Sequence, residues 1–308
     1  MHRTVKKNKV PPPQNVTRLL QGAFAGSLTH FNDKWQVERL MRVPACVPHG
    51  PDGFSELWPY LKNITALDPW RACSLAWRLW ETRELDGDVI ECGGLLGGMT
   101  VMMALLSARW GRPRRVFMLD AFQGLPTPDP VKDGFYEKGW GRVTRAQAEA
   151  VLWVAGVQKQ VTVVEGWFED TLPTLKGHQF CLAHLDGDLY GSTRVALEHV
   201  GPSMVEGGAV VLDDYADLGG GVMRALHEHV TRTGEQVVAG PVVQAFYRAG
   251  VLARDRNRDG VKEDLRTLQK DKQYQAALLQ VAQWLKEDRV KVNALLGALQ
   301  VGRTRTRG

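Results

Sequence analysis

A parallel β-sheet covered by helices on both faces is the fold that two patterns in this 308-residue chain predict. Short, β-rich apolar runs alternate with helix-like stretches between about residues 86 and 250, and each of the first five runs leads into an acid within a few residues. The composition, 44% apolar, 24% charged and 8% aromatic, is that of a globular protein rather than a disordered one. No run of eighteen apolar residues exists, and the start, Met1-His2-Arg3-Thr4-Val5-Lys6-Lys7, lacks the apolar core of a secretory signal. The four cysteines, Cys46, Cys73, Cys92 and Cys181, show no Cys-x-x-Cys spacing, so a reducing cytoplasm is expected rather than a disulfide framework or a zinc site.

The elements follow in order. Residues 1–30 read as a flexible basic tail with Pro11-Pro12-Pro13, and residues 31–85 as a helical cover segment. Asp68-Pro69 opens a helix, with a capping carboxylate and proline at the first helical position; Leu75, Ala76, Leu79 and Trp80 recur at helical spacing, and Asp86-Gly87 closes it. Trp77 and Trp80 are expected to pack in the core. The strands are expected at Val89-Ile90, Val116–Leu119, Val161–Val164, Phe180–Ala183 and Ala209–Leu212. Helices are expected at 99–110, 143–155 and 191–205 between them. Two closing runs, near Gln236–Ala239 and Val242–Tyr247, bring the count to about seven strands, the last two antiparallel. Residues 251–308 are expected to form a basic helical appendage that covers the sheet, pairs with a second copy or does neither. The net charge of +5 is uneven: residues 1–13 carry +4 and residues 251–308 carry +6, which leaves −5 for the body. The basic ends are read as solvated, and no nucleic-acid partner is expected.

In such a sheet, ligands sit beyond the carboxyl ends of the strands. The first strand runs into Glu91-Cys92-Gly93-Gly94-Leu95-Leu96-Gly97-Gly98. Its glycines permit a tight turn and a close approach to a ligand. Glu91 would repel a phosphate and favour a cation, such as the amino group or sulfonium of S-adenosylmethionine. Asp120, 29 positions after Glu91, can accept ribose hydroxyls, a property that an NAD enzyme shares. Trp167, after Glu165-Gly166, could lie along an adenine face or belong to the core. The fourth and fifth strands end in Asp186-Gly187-Asp188 and Asp213-Asp214, so several carboxylates converge at one rim. Like charges held close are costly, and a hard cation such as Mg²⁺ relieves the cost. Among the histidines, His184, His199, His227 and His229 show no zinc spacing. Asp255-x-Asn257-x-Asp259-Gly260 opens like a calcium loop, but Arg266 stands where a bidentate glutamate is required.

Five blocks then resemble one family in order and spacing: Glu91-Cys92-Gly93, Asp120 to Pro126, Gly166 to Pro173, Leu185 to Thr193, and Asp213-Asp214-Tyr215. That family is the macrocin O-methyltransferases, TylF-like, and the resemblance covers roughly residues 60–250. It implies a Rossmann-like class I methyltransferase fold, S-adenosylmethionine as donor, Mg²⁺, and methylation of a hydroxyl on a small molecule, a glycoside or polyol of a natural product. Carried over by position, it implies Glu91, Gly93, Gly97, Asp120, Phe122, Gly166, Trp167 and Asp186 for the donor. It implies Asp186, Asp213 and Asp214 as metal ligands, with Asp186 beside the reacting hydroxyl. The chain departs from the pattern at Leu96, where a basic residue is usual, and at Gly219-Gly220-Gly221, where a cysteine-containing stretch is usual. Only Phe246-Tyr247-Arg248 remains of the last strand's motif, and residues 254–308 have no counterpart.

Methyl transfer to an alcohol needs alignment, a base and stabilisation of the alkoxide. Asp186 or a metal-bound hydroxide is the expected base, with His227 or His229, both expected on a solvated helix face, as a fallback. An NAD-linked sugar oxidoreductase competes on a related fold, but no Tyr-x-x-x-Lys occurs, and Tyr190 is followed at that spacing by Arg194. A non-catalytic protein retaining the donor pocket is the remaining alternative.

Overall fold

A computed structural model describes residues 48–251, apart from 135, 216–220 and 241–243. The tail at 1–30, the first part of the cover segment, the calcium-loop decoy and the appendage from 252 onward lie outside the described residues.

Seven strands form one sheet: β1 (Asp88–Cys92), β2 (Val116–Asp120), β3 (Val161–Glu165), β4 (Phe180–Leu185), β5 (Met204–Leu212), β6 (Val238–Ala239) and β7 (Ala245–Arg248). Their order is β3-β2-β1-β4-β5-β7-β6. The first five are parallel; β7 runs antiparallel to β5 and β6. Order reverses between β1 and β4, which creates a crevice at the carboxyl edge.

Alternate residues of each strand feed two cores. Along β2, Val116 and Met118 join one apolar cluster and Phe117 and Leu119 the other. The first cluster is covered by α1 (Phe54–Leu61), α2 (Pro69–Glu81), α3 (Gly98–Arg109) and α4 (Arg145–Val154). The second lies under the short α5 (Phe168–Thr171), α6 (Tyr190–Val200) and α7 (Gly221–Thr233).

Helix α2 starts as its sequence predicts. The Asp68 carboxylate accepts from the backbone N–H groups of Trp70 (2.8 Å) and Arg71 (3.1 Å). It stops four residues short of the expected end, because the Thr82 hydroxyl turns back to the carbonyls of Arg78 and Leu79. Trp77 is half-buried against the first core, and Trp80 packs edge-on against Trp110. The helix expected at 191–205 also ends early. Gly201-Pro202-Ser203 forms a 3₁₀ turn after α6, and β5 begins at Met204. No helix among the described residues is long and apolar enough to cross a membrane.

Candidate active site at the carboxyl edge

Among the described residues, four that are not glycine have left-handed backbones: Leu95 (φ 50°), Phe122 (φ 53°), Asp188 (φ 57°) and Asp214 (φ 54°). They follow β1, β2, β4 and β5 respectively, so all four lie at the carboxyl edge. Strain of this kind concentrates where a site dictates the chain path. A cavity of about 280 Å³ lies at the opposite edge, lined by residues such as Thr82, Arg112 and Arg114. Backbone carbonyls accept from both of those arginines.

The glycine turn and the acids touch. Asp186 N–H donates to the Cys92 carbonyl at 2.8 Å. Gly93 has φ +96°, and a Cβ there would stand 1.9 Å from the Asp186 carbonyl oxygen. Gly97, φ +84°, caps the N-terminus of α3. Asp120 ties this turn to its own loop: Oδ2 accepts from Leu95 N–H at 2.8 Å and Oδ1 from Phe122 N–H at 2.7 Å. Each oxygen has a second lone pair for another donor. Burial raises the Asp120 pKa; the two backbone donors oppose the rise and the Glu91 charge adds to it. Gly166 (φ +142°) and the half-buried Trp167 follow β3 and lead into α5. The loop after Asp120 is anchored by the buried Asp133, which accepts from Tyr190 N–H at 2.6 Å in the first turn of α6.

Glu91 lies inside the sheet. It is 2% exposed, and its oxygens are engaged by the Thr100 hydroxyl and by His184 Nδ1, the latter at 3.0 Å. Glu91 and His184 are register partners across β1 and β4, so they share one face of the sheet. The group that Glu91 faces across the sheet is therefore His184. Burial disfavours a charge on His184, but the Glu91 hydrogen bond and the Asp186 and Asp213 carboxylates outweigh it and lift the pKa to about 9. His184 Nε2 is buried without a partner among the described residues.

Arg71, absent from the sequence reading, holds the acids from above. Its Nη1 donates to Asp213 Oδ2 at 2.5 Å and to Asp214 Oδ1 at 3.2 Å, while its Nε pairs with Asp68 Oδ2 at 2.8 Å. Burial opposes the charge on Arg71, yet Asp213, Asp214, Asp68 and Asp186 raise its pKa well above the usual value. Asp213 is 1% exposed, and its Oδ1 accepts from Gln244 Nε2 at 2.7 Å. Burial and then the Asp213 charge raise the pKa of both Asp186 and Asp214, while the nearby cations His184 and Arg71 offset part of the rise.

Among the described residues, two groups could accept a metal. His184, Asp186 and Asp213 offer ligand atoms within 4.8 Å of one another, as do Asp186, Asp188 and Asp214. In the first group the Nδ1 of the imidazole is already engaged by Glu91, at 3.0 Å. The second is all-carboxylate and half-open, the donor chemistry that a hard cation takes.

The fallback bases lie elsewhere. Exposed His227 pairs with the Tyr215 hydroxyl at 2.9 Å. His229 is buried rather than solvated: α7 turns it inward against Gly201, 3.3 Å from Glu235 and 3.4 Å from the Tyr247 hydroxyl.

Asp68 serves both α2 and the site, and substitutions separate its two duties. Asp68→Ala should cost about 1 kcal/mol through the lost cap, plus the lost Arg71 pairing, in urea unfolding. Asp68→Asn retains an equivalent cap and should recover the cap share only.

A sheet ordered 3-2-1-4-5-7-6, with a glycine turn at its switch point, defines a Rossmann-like methyltransferase fold of class I. The chain belongs to the macrocin O-methyltransferase (TylF) family, whose sequence model matches residues 77–244. It is 37% identical over 141 residues to the 8-demethyl-8-(2,3-dimethoxy-α-L-rhamnosyl)-tetracenomycin-C 4'-O-methyltransferase of Streptomyces olivaceus, covering 43% of this chain and 54% of that protein. It is 32% identical over 164 residues to the mycinamicin III 3''-O-methyltransferase of Micromonospora griseorubida, covering 49% and 63%. The chain thus spans little more than half the length of these curated relatives. Among solved structures it resembles the O-methyltransferase NovP, with a TM-score of 0.53, 23% identity, and coverage of 60% of this chain and 81% of that one. It also resembles a calicheamicin methyltransferase, with a TM-score of 0.54, 19% identity, and coverage of 81% and 95%. These two likenesses concern the fold.

Proposed function

We propose that this protein transfers a methyl group from S-adenosylmethionine to a sugar hydroxyl of a glycosylated small molecule, with a divalent cation, Mg²⁺, at the acidic rim. The observation that carries the reading is the contact between the glycine turn and the acids: Gly93 lies against the backbone of Asp186, beside the cluster of Asp186, Asp188 and Asp214. Family membership supports the donor, and the names of the relatives support a sugar hydroxyl as acceptor.

In this reading the Gly93–Gly97 turn and Asp120 hold the donor, with Asp120 using its remaining lone pairs for ribose hydroxyls and Trp167 closing the adenine side. Glu91 acts through His184, fixing the base of the crevice rather than meeting the donor itself. When bound, the donor supplies a sulfonium methyl and the cation supplies Lewis acidity that favours an alkoxide. Asp186, whose backbone lies against the Gly93 turn, accepts the acceptor's hydroxyl proton. Arg71 and Asp213 keep the β5 end rigid while the acceptor aligns. The oxidoreductase alternative gains no support, since the Tyr190 hydroxyl donates to Glu228.

Incubation with labelled donor and a panel of deoxysugar glycosides tests the activity. Label should enter the glycoside, stop after chelation with EDTA, and return on adding Mg²⁺. Full turnover after rigorous chelation would remove the cation from the reading; no transfer to any glycoside would remove the acceptor class.

A further inference from the structure

We infer that Asp133 is a positioning residue for the transfer: it caps α6 from a distance, holds the chain that follows Asp120 across the mouth of the crevice, and so slows departure of the donor. The inference rests on the proposal that the glycine turn binds S-adenosylmethionine, and it adds the residue that keeps the site closed over it.

The first argument is a cap supplied from elsewhere. Helix α6 begins after Leu189, whose side chain has no oxygen to offer the free N–H groups of the first turn. Asp133, 57 positions before Tyr190, supplies one: its Oδ1 accepts from Tyr190 N–H at 2.6 Å. A carboxylate also suits the positive end of a helix. The acid is held in place, being 2% exposed, with Oδ2 accepting from Asp129 N–H at 2.7 Å and its own N–H donating to the Asp129 carbonyl at 2.9 Å.

The second argument is the path of the chain. Both limbs of the excursion between β2 and α4 start and finish at the glycine turn. Asp120 bonds the N–H groups of Leu95 and Phe122, and a Cβ on Gly141 would lie 3.7 Å from Leu95 Cδ1. The limbs are paired where Leu125 N–H donates to the Trp140 carbonyl and Gly139 N–H to the Leu125 carbonyl, each at 2.8 Å. Beyond that pairing the excursion reaches α6, which follows β4. In the order β3-β2-β1-β4-β5, a chain leaving β2 must pass the end of β1 to arrive there, and the crevice lies between β1 and β4. Pro126, Pro128 and Pro130 stiffen the span.

The third argument is the fit at the far anchor. A Cβ on Gly221, the first residue of α7, would stand 2.5 Å from Asp133 Oδ1. The Lys132 ammonium lies 3.9 Å from the centre of the Tyr190 ring, whose hydroxyl donates to Glu228 at 2.7 Å. The anchor is thus a contact among three elements, with Asp133 at its centre.

Dissociation of S-adenosylhomocysteine from the full-length protein, followed by surface plasmon resonance, tests the inference beside hydrogen exchange at the Tyr190 amide. Asp133→Ala should raise the dissociation rate by about tenfold or more, the worth of a hydrogen bond to a charged group, and should speed exchange at Tyr190. Asp133→Asn keeps an oxygen for Tyr190 and should recover most of both losses. Gly221→Ala keeps the acid but crowds it, so it should show the same two effects and add little to Asp133→Ala in the double variant. Where Asp133→Ala does not fold, Gly221→Ala carries the test. A wild-type dissociation rate in a variant whose Tyr190 amide exchanges freely overturns the inference, and so does a Tyr190 amide that stays protected without Asp133. A wild type that binds no S-adenosylhomocysteine removes the donor reading and this inference with it, an outcome distinct from the others.

Discussion

Asp186→Asn should lower kcat by about 10²- to 10⁴-fold, the range that a positioned base contributes, while donor binding changes far less. Asn has nearly the same volume and keeps an acceptor oxygen, but it cannot take a proton. The Asp186 backbone is bonded to Cys92 and so holds its place whatever the side chain. Single-turnover measurement with labelled donor, beside calorimetry of donor binding, separates the two effects. Loss of donor affinity equal to the loss in kcat would make Asp186 a donor-binding residue only. Unchanged kcat would move the base elsewhere.

Gly93→Ala should be the most damaging small substitution in the chain. Two penalties coincide there. Its φ of +96° lies in the left-handed region, and the added Cβ would stand 1.9 Å from a backbone oxygen that cannot swing aside. That oxygen belongs to Asp186, so relief requires β1 and β4 to part at the switch point. A loss of more than about 4 kcal/mol is expected, read as failure to accumulate folded protein or as a large fall in the urea midpoint. Gly111→Ala is the control. It also has a positive φ, +85°, but its Cβ would meet nothing within 4 Å, so only the backbone penalty applies. Equal effects at the two positions would show that the contact with Asp186 contributes nothing.

The strand ends were legible because burial and chemistry leave different marks. Strands enclosed on both faces appear as apolar runs, and the first acid after each marks the edge, as at Asp120, Asp186 and Asp213. The cap at Asp68 was legible for the same reason: it depends only on residues three apart. Arg71 was not, because its partner Asp213 lies 142 positions away and nothing local marks an arginine for burial. His184 sat in plain view next to Asp186. Its pairing with Glu91 depends on β1 and β4 being neighbours, which local periodicity does not reveal. The backbone geometry of these acids is hidden in the same way: the residues are legible, but the left-handed turns at Asp188 and Asp214 are not. His229 misled because it lies among polar neighbours on α7, while the helix turns that position inward against Gly201.

The most direct test of the whole account is mass spectrometry of a deoxysugar glycoside after incubation with the protein, S-adenosylmethionine and Mg²⁺. The account predicts a product heavier by one CH₂ unit, with fragmentation placing the gain on the sugar and S-adenosylhomocysteine formed in equal amount. A methyl placed on nitrogen or on the aglycone, or a product lighter by two hydrogens formed with a nicotinamide cofactor, would contradict it.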